Sequence, residues 1–319
     1  MTAFIILNYN GKEDTLACLA SLQEMTEQNY SCIVVDNGSK DDSAAAIREA
    51  FPQVILLETG QNLGFAGGNN VGLKHALKQG FENILLLNND TIVDPNFLTA
   101  LLKAAAEKPH ISIFGARPLR YYEPDKLDHL GGVWNPEKAA FDLIGLGAPA
   151  GFRFEGQLDY VCGCATLIRR SVFDTVGLFE PLFFLYWEEA DLCARAKRAG
   201  FQIDVCYEAT LLHKVAASMT GGKPHIAYYW WRNRLFWMQR NLSPLEYKKI
   251  FWRKVFPEIM QVFKLRLLKK FHRKSPENIL KSVQYLAATT GIIDFYCNRL
   301  GPASPMLLHK INKPQNTLL

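Results

Sequence analysis

The chain contains no uninterrupted apolar run near the roughly 20 residues that a bilayer-spanning helix requires, and its first apolar stretch, Thr2 to Leu7, is too short for the core of a secretion signal. A protein working in the cytoplasm is expected. Cysteine has no regular spacing: seven residues, an odd number, do not suit a disulfide framework, and Cys162-Gly163-Cys164 lacks in the sequence the partners of a zinc site. Neither GxGxxG nor GxxxxGK[ST] is present, which argues against a P-loop nucleotidase. An excess of one charge is also missing. The formal net charge of +5 is modest and matters less than its placement, since basic residues crowd Lys248 to Lys274 and imply a local patch; no nucleic-acid partner is expected. With 49% hydrophobic and 21% charged residues, the chain has the balance of a folded protein with a buried core.

What is present begins with four short apolar runs, Ala3 to Leu7, Cys32 to Val35, Val54 to Leu57 and Ile84 to Leu87, of the kind buried on both faces of a parallel sheet. Helical spacing lies between them, as in Leu16, Leu19, Ala20 and Leu22, or Val71, Leu73, Ala76 and Leu77. Alternating strands and helices predict an open, doubly wound, mostly parallel α/β sheet with right-handed crossovers. From about Ile111 the runs shorten and glycine and proline become frequent, so a more irregular half is expected. Cys164 to Ile168 reads as a strand, Ser171 to Val176 as a helix, Glu188 to Arg198 as a helix closed by Gly200, and Phe201 to Cys206 as a strand. The expected organisation is a catalytic domain over 1–224, halved at about 110, followed by a helical extension over 225–319. That extension carries Tyr228 to Arg234, Phe251 to Lys254 and Phe263 to Lys274, rich in aromatic and basic residues. It reads equally as packed helices with solvated basic faces or as helices lying on an anionic membrane surface.

Ligands of doubly wound sheets bind at the carboxyl ends of the strands, and here those ends are polar: Asn8-Tyr9-Asn10, Asp36-Asn37-Gly38-Ser39, Glu58 with Gln61-Asn62, and Asn88-Asn89-Asp90. Asp36 suits a base imide or a ribose hydroxyl; an Asx turn or helix cap is the structural alternative. The run Asn62 to Asn70, with Gly67, Gly68 and Asn69, is a glycine-rich turn into a helix, fit for close backbone approach to a nucleotide or for tight packing. Asp90, behind Leu85-Leu86-Leu87, is a candidate metal ligand. The most unusual stretch is Phe184 to Cys193, where Glu188, Glu189 and Asp191 stand in apolar and aromatic surroundings. Capping of a helix start accounts for one of them better than for three. Adjacent helical residues point about 100° apart, so Glu188 and Glu189 serve different tasks, Asp191 returns near Glu188, and Arg195 is placed to pair with Asp191. One carboxylate can act as a general base. His213 follows the apolar run Thr210-Leu211-Leu212 and reads as structural or as a ligand.

Taken in order, Ile5 to Gly11, Val34 to Ser39, Asn62 to Asn69 and Leu87 to Asp90 resemble the family 2 glycosyltransferases, and the rhamnosyltransferase-like branch in particular. Gly163-Cys164-Ala165, Arg169-Arg170, Val176 to Phe179, the acidic stretch and Leu212-His213 extend the resemblance to about residue 235. It implies a GT-A fold, a nucleotide-diphosphate sugar donor, a divalent cation (Mn²⁺ or Mg²⁺), inversion at the anomeric carbon, and a hydroxyl acceptor on a cell-surface or lipid-linked glycan. By the same resemblance Asn8, Asn10, Asp36, Asn37, Asn62, Gly67, Asn69, Asn88 and Asn89 belong to the donor site, Asp90 and His213 to the metal, and Glu189 is the general base, with Glu188 and Asp191 beside it. Two departures stand out. Asn88 occupies the first position of the family's DxD-like motif, and Glu189, one methylene longer, replaces the usual Asp. Rhamnose carried by thymidine diphosphate is the expected donor, with a UDP-hexose or UDP-N-acetylhexosamine as the alternative. A non-catalytic scaffold that binds nucleotide or glycan, and nucleotidyl transfer, are the competing readings.

Overall fold

The computed structural model describes residues 1–214, 223–271 and 276–312. In chain order the first half runs β1 (Thr2–Asn8), α1 (Lys12–Gln23), β2 (Tyr30–Asp36), α2 (Ser43–Ala50), β3 (Ile55–Glu58), α3 (Gly64–Lys78), β4 (Asn83–Asn88), β5 (Thr91–Val93) and α4 (Phe97–Glu107). Then come β6 (Ile111–Arg120), β7 (Glu123–Leu127), β8 (Gly131–Asn135), β9 (Ala140–Ile144), β10 (Tyr160–Val161), β11 (Ala165–Arg169), α5 (Arg170–Val176), α6 (Glu188–Arg198) and β12 (Gln202–His213). The elements that follow are all helical: α7 (Pro224–Asn241), α8 (Pro244–Ile250), a π-helical stretch (Phe251–Val255), α9 (Phe256–Phe271), α10 (Pro276–Tyr296) and α11 (Pro305–Asn312).

The main sheet has the order β3-β2-β1-β4-β11-β6-β12-β5, with β7 hydrogen-bonded to β6. β3, β2, β1 and β4 are parallel, as their all-apolar interiors require: Phe4, Ile5, Ile6, Val34, Val35, Ile84 and Leu85 are sealed from solvent on both faces. Beyond β4 the sheet becomes mixed, because β11 runs antiparallel to both β4 and β6. β8, β9 and β10 form a separate three-stranded sheet in the order β10-β8-β9.

Three differences from the sequence expectation matter. The half beyond Ile111 is built largely of strands rather than irregular chain. Asn88 to Asp94, where a polar turn before a helix was the alternative to a metal-ligand role for Asp90, contains β5. The strand expected at Phe201 to Cys206 continues to His213, through a break in register between Val205 and Thr210. Glycine and proline made this half look irregular, but Gly115 and Pro118 lie inside β6, Pro124 inside β7 and Gly131-Gly132 at the start of β8, where they obscure a strand pattern.

Two compact units are present. The first comprises Met1–Val133, Asp142–Pro181 and the chain from Glu188 through β12; the second comprises Trp134–Phe141, Leu182–Trp187 and the helices from α7 onward. In the second unit Tyr228, Tyr229, Val283, Ala287, Leu307 and Ile311 make an apolar core, and Gly291 allows α10 to approach the Tyr228 carbonyl, which a Cβ there would meet at 2.3 Å. Arg232 and Asn233 of α7 are fully buried and spend their N–H groups on backbone carbonyls. Asn233 Nδ2 donates to Phe183 O (2.8 Å), Leu185 O (2.7 Å) and Tyr186 O (3.0 Å), and Arg232 Nη2 donates to Phe183 O (2.9 Å) and Leu182 O (3.2 Å). These bonds hold a segment in which Phe184, Tyr186 and Trp187 all have positive φ, between 65° and 78°. No described helix is long and apolar enough to cross a membrane.

Candidate active site

The carboxyl ends of β1, β2 and β4 converge because the strands are parallel and in register, Leu7 pairing with Val35 on one side and Asn88 on the other. Asn8 is wholly buried and joins the edge together: its Nδ2 donates to Asp36 Oδ2 (2.8 Å) and Ser39 Oγ (3.1 Å), and its Oδ1 accepts from Thr15 Oγ1 (2.9 Å) and Gly11 N (3.2 Å). Asn89 Nδ2 donates to the same Thr15 hydroxyl at 2.9 Å. Asp36, Asn8, Thr15 and Asn89 are thus one hydrogen-bonded chain, and Thr15, on α1, is a member that sequence reasoning missed. Asn10, at φ 51°, accepts from Lys40 N at 2.7 Å.

Asn37 and Asn62 form a second group. Asn37 Nδ2 donates to Asn62 Oδ1 (3.2 Å) and Gly64 O (3.1 Å), and Asn37 Oδ1 accepts from Leu63 N (3.0 Å). The glycines after it serve close packing: a Cβ on Gly68 would meet Leu7 Cδ1 at 2.4 Å, and one on Gly67 would meet Leu63 Cβ at 2.9 Å. Asn69, 2% exposed, donates back to Phe65 O within its own helix at 3.0 Å. Asn88 contributes its backbone, donating to Cys164 O and accepting from the Thr91 hydroxyl.

Asp90 and His213 are more than 120 positions apart, yet β5 and β12 lie antiparallel with His213 opposite Thr91. His213 Nε2 stands 3.3 Å from Asp90 Oδ1, and Lys214 N donates to Asp90 O at 3.0 Å. On its other side His213 Nδ1 lies 2.9 Å from Asp128 Oδ2. Asp128 was not foreseen. It follows β7, which turns back along β6, the neighbour of β12, and its N–H is fixed on Pro118 O. Burial disfavours charge on His213, but the hydrogen bonds it donates to Asp128 and Asp90 outweigh that and push the imidazole up to about 10. Burial works against the Asp128 carboxylate too, and His213 and His129 nevertheless hold it below the ordinary range. Among the described residues Asp90 Oδ2 is buried and has no hydrogen-bond partner. A buried, unpaired carboxylate oxygen beside an imidazole nitrogen, with the other nitrogen braced by a second carboxylate, suits a divalent cation in place of the imidazolium proton. The donor set therefore fits the metal that the sequence resemblance implied.

Glu188 and Glu189 open α6. Glu188 is buried and Glu189 partly so, and Oε2 of each is buried without a hydrogen-bond partner among the described residues. Desolvation raises both carboxyls, and the neighbouring Glu189 charge raises Glu188 further, well above the ordinary carboxylate value. Glu189 lies against Gly163, whose missing side chain leaves it room, and lines a small apolar cavity with Phe65, Leu86, Phe179 and Leu192. Asp191 has a different setting. It is sealed from solvent and bonded to Arg195 Nε at 2.8 Å, while Arg195 Nη2 reaches Leu178 O at 2.8 Å. Burial raises the Tyr160 hydroxyl well above its ordinary value, and the nearby charge of Glu189 adds to that rise.

The mixed sheet, parallel from β3 to β4 and flanked by helices, is the GT-A glycosyltransferase architecture. A mannosyltransferase from Pyrobaculum calidifontis, solved in complex with GDP-Man and Mn²⁺, superposes with a TM-score of 0.57 over 93% of this chain and 87% of its own, at 13% identity. Residues 3–177 match the model of glycosyl transferase family 2, and the chain belongs to that family, within its rhamnosyltransferase-like branch. The N-acetylglucosaminyl-diphospho-decaprenol L-rhamnosyltransferase of Mycobacterium tuberculosis is 30% identical over 265 residues, covering 70% of this chain and 83% of that protein. The dTDP-rhamnosyl transferase RfbF of Shigella flexneri is 25% identical over 257 residues, covering 76% and 81%.

Proposed function

We propose that the protein moves rhamnose, with inversion, from its thymidine diphosphate carrier to a hydroxyl of a lipid-linked or cell-surface glycan. The observation that carries this reading is the Asp90–His213–Asp128 constellation at the sheet edge, in a family 2 chain whose relatives include two rhamnosyltransferases. Asp36, Asn8 and Asn37 are the groups to hold base and ribose, with Asn10, Asn62, Gly67, Asn69, Asn88 and Asn89 shaping the donor site around them. Asp90 and His213 are the residues to hold Mn²⁺ or Mg²⁺, which when bound offsets the charge of the departing nucleoside diphosphate.

Glu189 takes the proton of the acceptor hydroxyl as that oxygen attacks the anomeric carbon opposite the leaving diphosphate. Its raised pKa makes it a stronger base than an ordinary carboxylate, and its buried Oε2 has no competing donor among the described residues. Glu188 keeps its own proton more tightly, and Asp191 with Arg195 anchors the helix that carries both.

In this reading 1–110 forms the donor half, 111–224 the acceptor half, and 225–319 the side that meets the membrane carrying the acceptor. Trp252, Phe256, Met260 and Leu267, between 38% and 63% exposed, recur close to helical spacing beside Lys248, Lys249, Arg253 and Lys264. The reading is tested by incubating the protein with Mn²⁺, a lipid-linked acceptor and a panel of dTDP-, UDP- and GDP-sugars, and following free nucleoside diphosphate. Acceptor-dependent release of dTDP from dTDP-rhamnose is the expected result. Release of UDP instead reassigns the donor, pyrophosphate indicates nucleotidyl transfer, and binding without release points to a scaffold.

A further inference from the structure

Cys162 and Cys164 gain in the fold the partners they lack in the sequence. His129 Nε2 lies 3.5 Å from Cys162 Sγ, the two Sγ atoms are 3.4 Å apart, and ligand atoms of Asp128, His129 and Cys162 all fall within 4.8 Å of one another. In a tetrahedral zinc site, with Zn–S about 2.3 Å and Zn–N about 2.0–2.1 Å, sulfur and nitrogen stand about 3.5 Å apart and two sulfurs about 3.8 Å. The side chains are therefore spaced almost as such an ion would space them.

The backbone beneath them is rigid. Cys162 N donates to Leu130 O at 3.1 Å, tying β10 to the residue after His129, and the Thr166 hydroxyl donates to Cys162 O at 3.1 Å. Gly131, at φ +142°, lets the two segments touch, since a Cβ there would sit 2.0 Å from Tyr160 O. Asp128 N is held on Pro118 O. Both cysteines are buried and unpaired as disulfides.

We propose that Asp128, His129, Cys162 and Cys164 form a binding site for a thiophilic divalent cation, zinc by its ligand chemistry, which adjoins the Asp90–His213 pair through Asp128, whose Oδ2 is bonded to His213 Nδ1. Two thiolates, an imidazole and a carboxylate are a soft, closed set, whereas Asp90 offers hard oxygen suited to Mn²⁺ or Mg²⁺. Binding releases the thiol protons to solvent as the S–metal bonds form. This site does not depend on the donor or acceptor assigned above.

The test uses the full-length reduced protein and two metals. Titration with Zn²⁺ against a chromophoric chelator is expected to show one tight ion per chain, and Co²⁺ in its place should give thiolate-to-cobalt charge-transfer absorption with strong tetrahedral visible bands. Cys162→Ser should abolish the charge-transfer band and weaken zinc at least tenfold, Cys164→Ser should roughly halve the band, and Asp90→Asn should leave it intact. An absent band in the reduced wild type, or one that survives in Cys162→Ser, overturns the site. Should the cysteine variants fail to fold, X-ray absorption at the zinc edge of the loaded wild type decides: sulfur neighbours at about 2.3 Å are expected, and a shell of oxygen and nitrogen alone overturns the proposal.

Discussion

His213 Nδ1 sits 2.9 Å from Asp128 Oδ2, a bond across 85 residues of sequence that fixes the imidazole with Nε2 towards Asp90. Outer partners of this kind set both the tautomer and the basicity of a ligating histidine. Replacing Asp128 with Asn keeps the shape and removes the charge. Divalent-metal affinity should fall by about 10–100-fold, as read by Mn²⁺ titration of donor turnover and by direct Mn²⁺ binding; an unchanged Mn²⁺ dependence in a folded Asn variant would show that the Asp128 charge does not tune His213 as a ligand.

Glu189→Gln retains size and hydrogen bonding but cannot take a proton. General-base catalysis is worth about 10²–10⁴ in rate, so kcat should drop by that order while the donor Kd, measured calorimetrically, changes less than about threefold. The matched Glu188→Gln variant should lose far less. If the two losses are reversed, the base is Glu188.

Both carboxyls are raised above the ordinary 4.5, so the folded protein binds protons there more tightly than the unfolded chain does. The sign follows from linkage. As pH climbs from 4.5 towards the raised values, the unfolded chain loses its protons first and stability declines; above those values the penalty is constant. Glu188→Gln removes the larger share of it. The variant's melting temperature should therefore exceed that of the wild type at pH 8 and converge with it at pH 4. A gain of equal size at both pH values would show that burial of the charge is not its source.

Asn233 supplies one amide to three carbonyls of the segment that leads into α6. Buried carbonyls left without a donor cost about 1–3 kcal/mol each. Asn233→Ala should lower unfolding free energy by at least about 2 kcal/mol, seen as a shifted denaturant midpoint. Asn233→Asp should be no better, since it offers acceptors where donors are required. A midpoint unmoved in Asn233→Ala would mean that these carbonyls are satisfied in another way.

Exposed Trp252 and Phe256 beside basic residues should give binding to vesicles containing anionic lipid that weakens with salt. A Trp252→Glu, Phe256→Glu double variant should remain in the supernatant on co-sedimentation. Equal binding to neutral and anionic vesicles would remove the electrostatic part of the proposal.

Much of the fold was legible in the chain. β1 to β4 announce themselves because a strand buried on both faces must be apolar throughout, and α6 because a carboxylate-rich start and Gly200 mark its ends. β5, three residues long, carries too little pattern to be seen, and β12 hides its second half behind a register break. Thr15 was missed because a single threonine on a helix face carries no signal of the asparagines it joins. Asp128 and His129 offered a faint one, two polar residues between Leu127 and Leu130 at the end of a strand.

The sequence by itself determined which segments bury, where the polar strand ends fall and which carboxylates stand in costly surroundings, because these depend on residue type and local period. Only the tertiary structure decided which of those groups meet. Asp90, Asp128 and His213 share no local pattern. They come together because β5 pairs with β12 and β7 folds back along β6, and those pairings are set by backbone hydrogen bonds and packing between segments far apart in the chain.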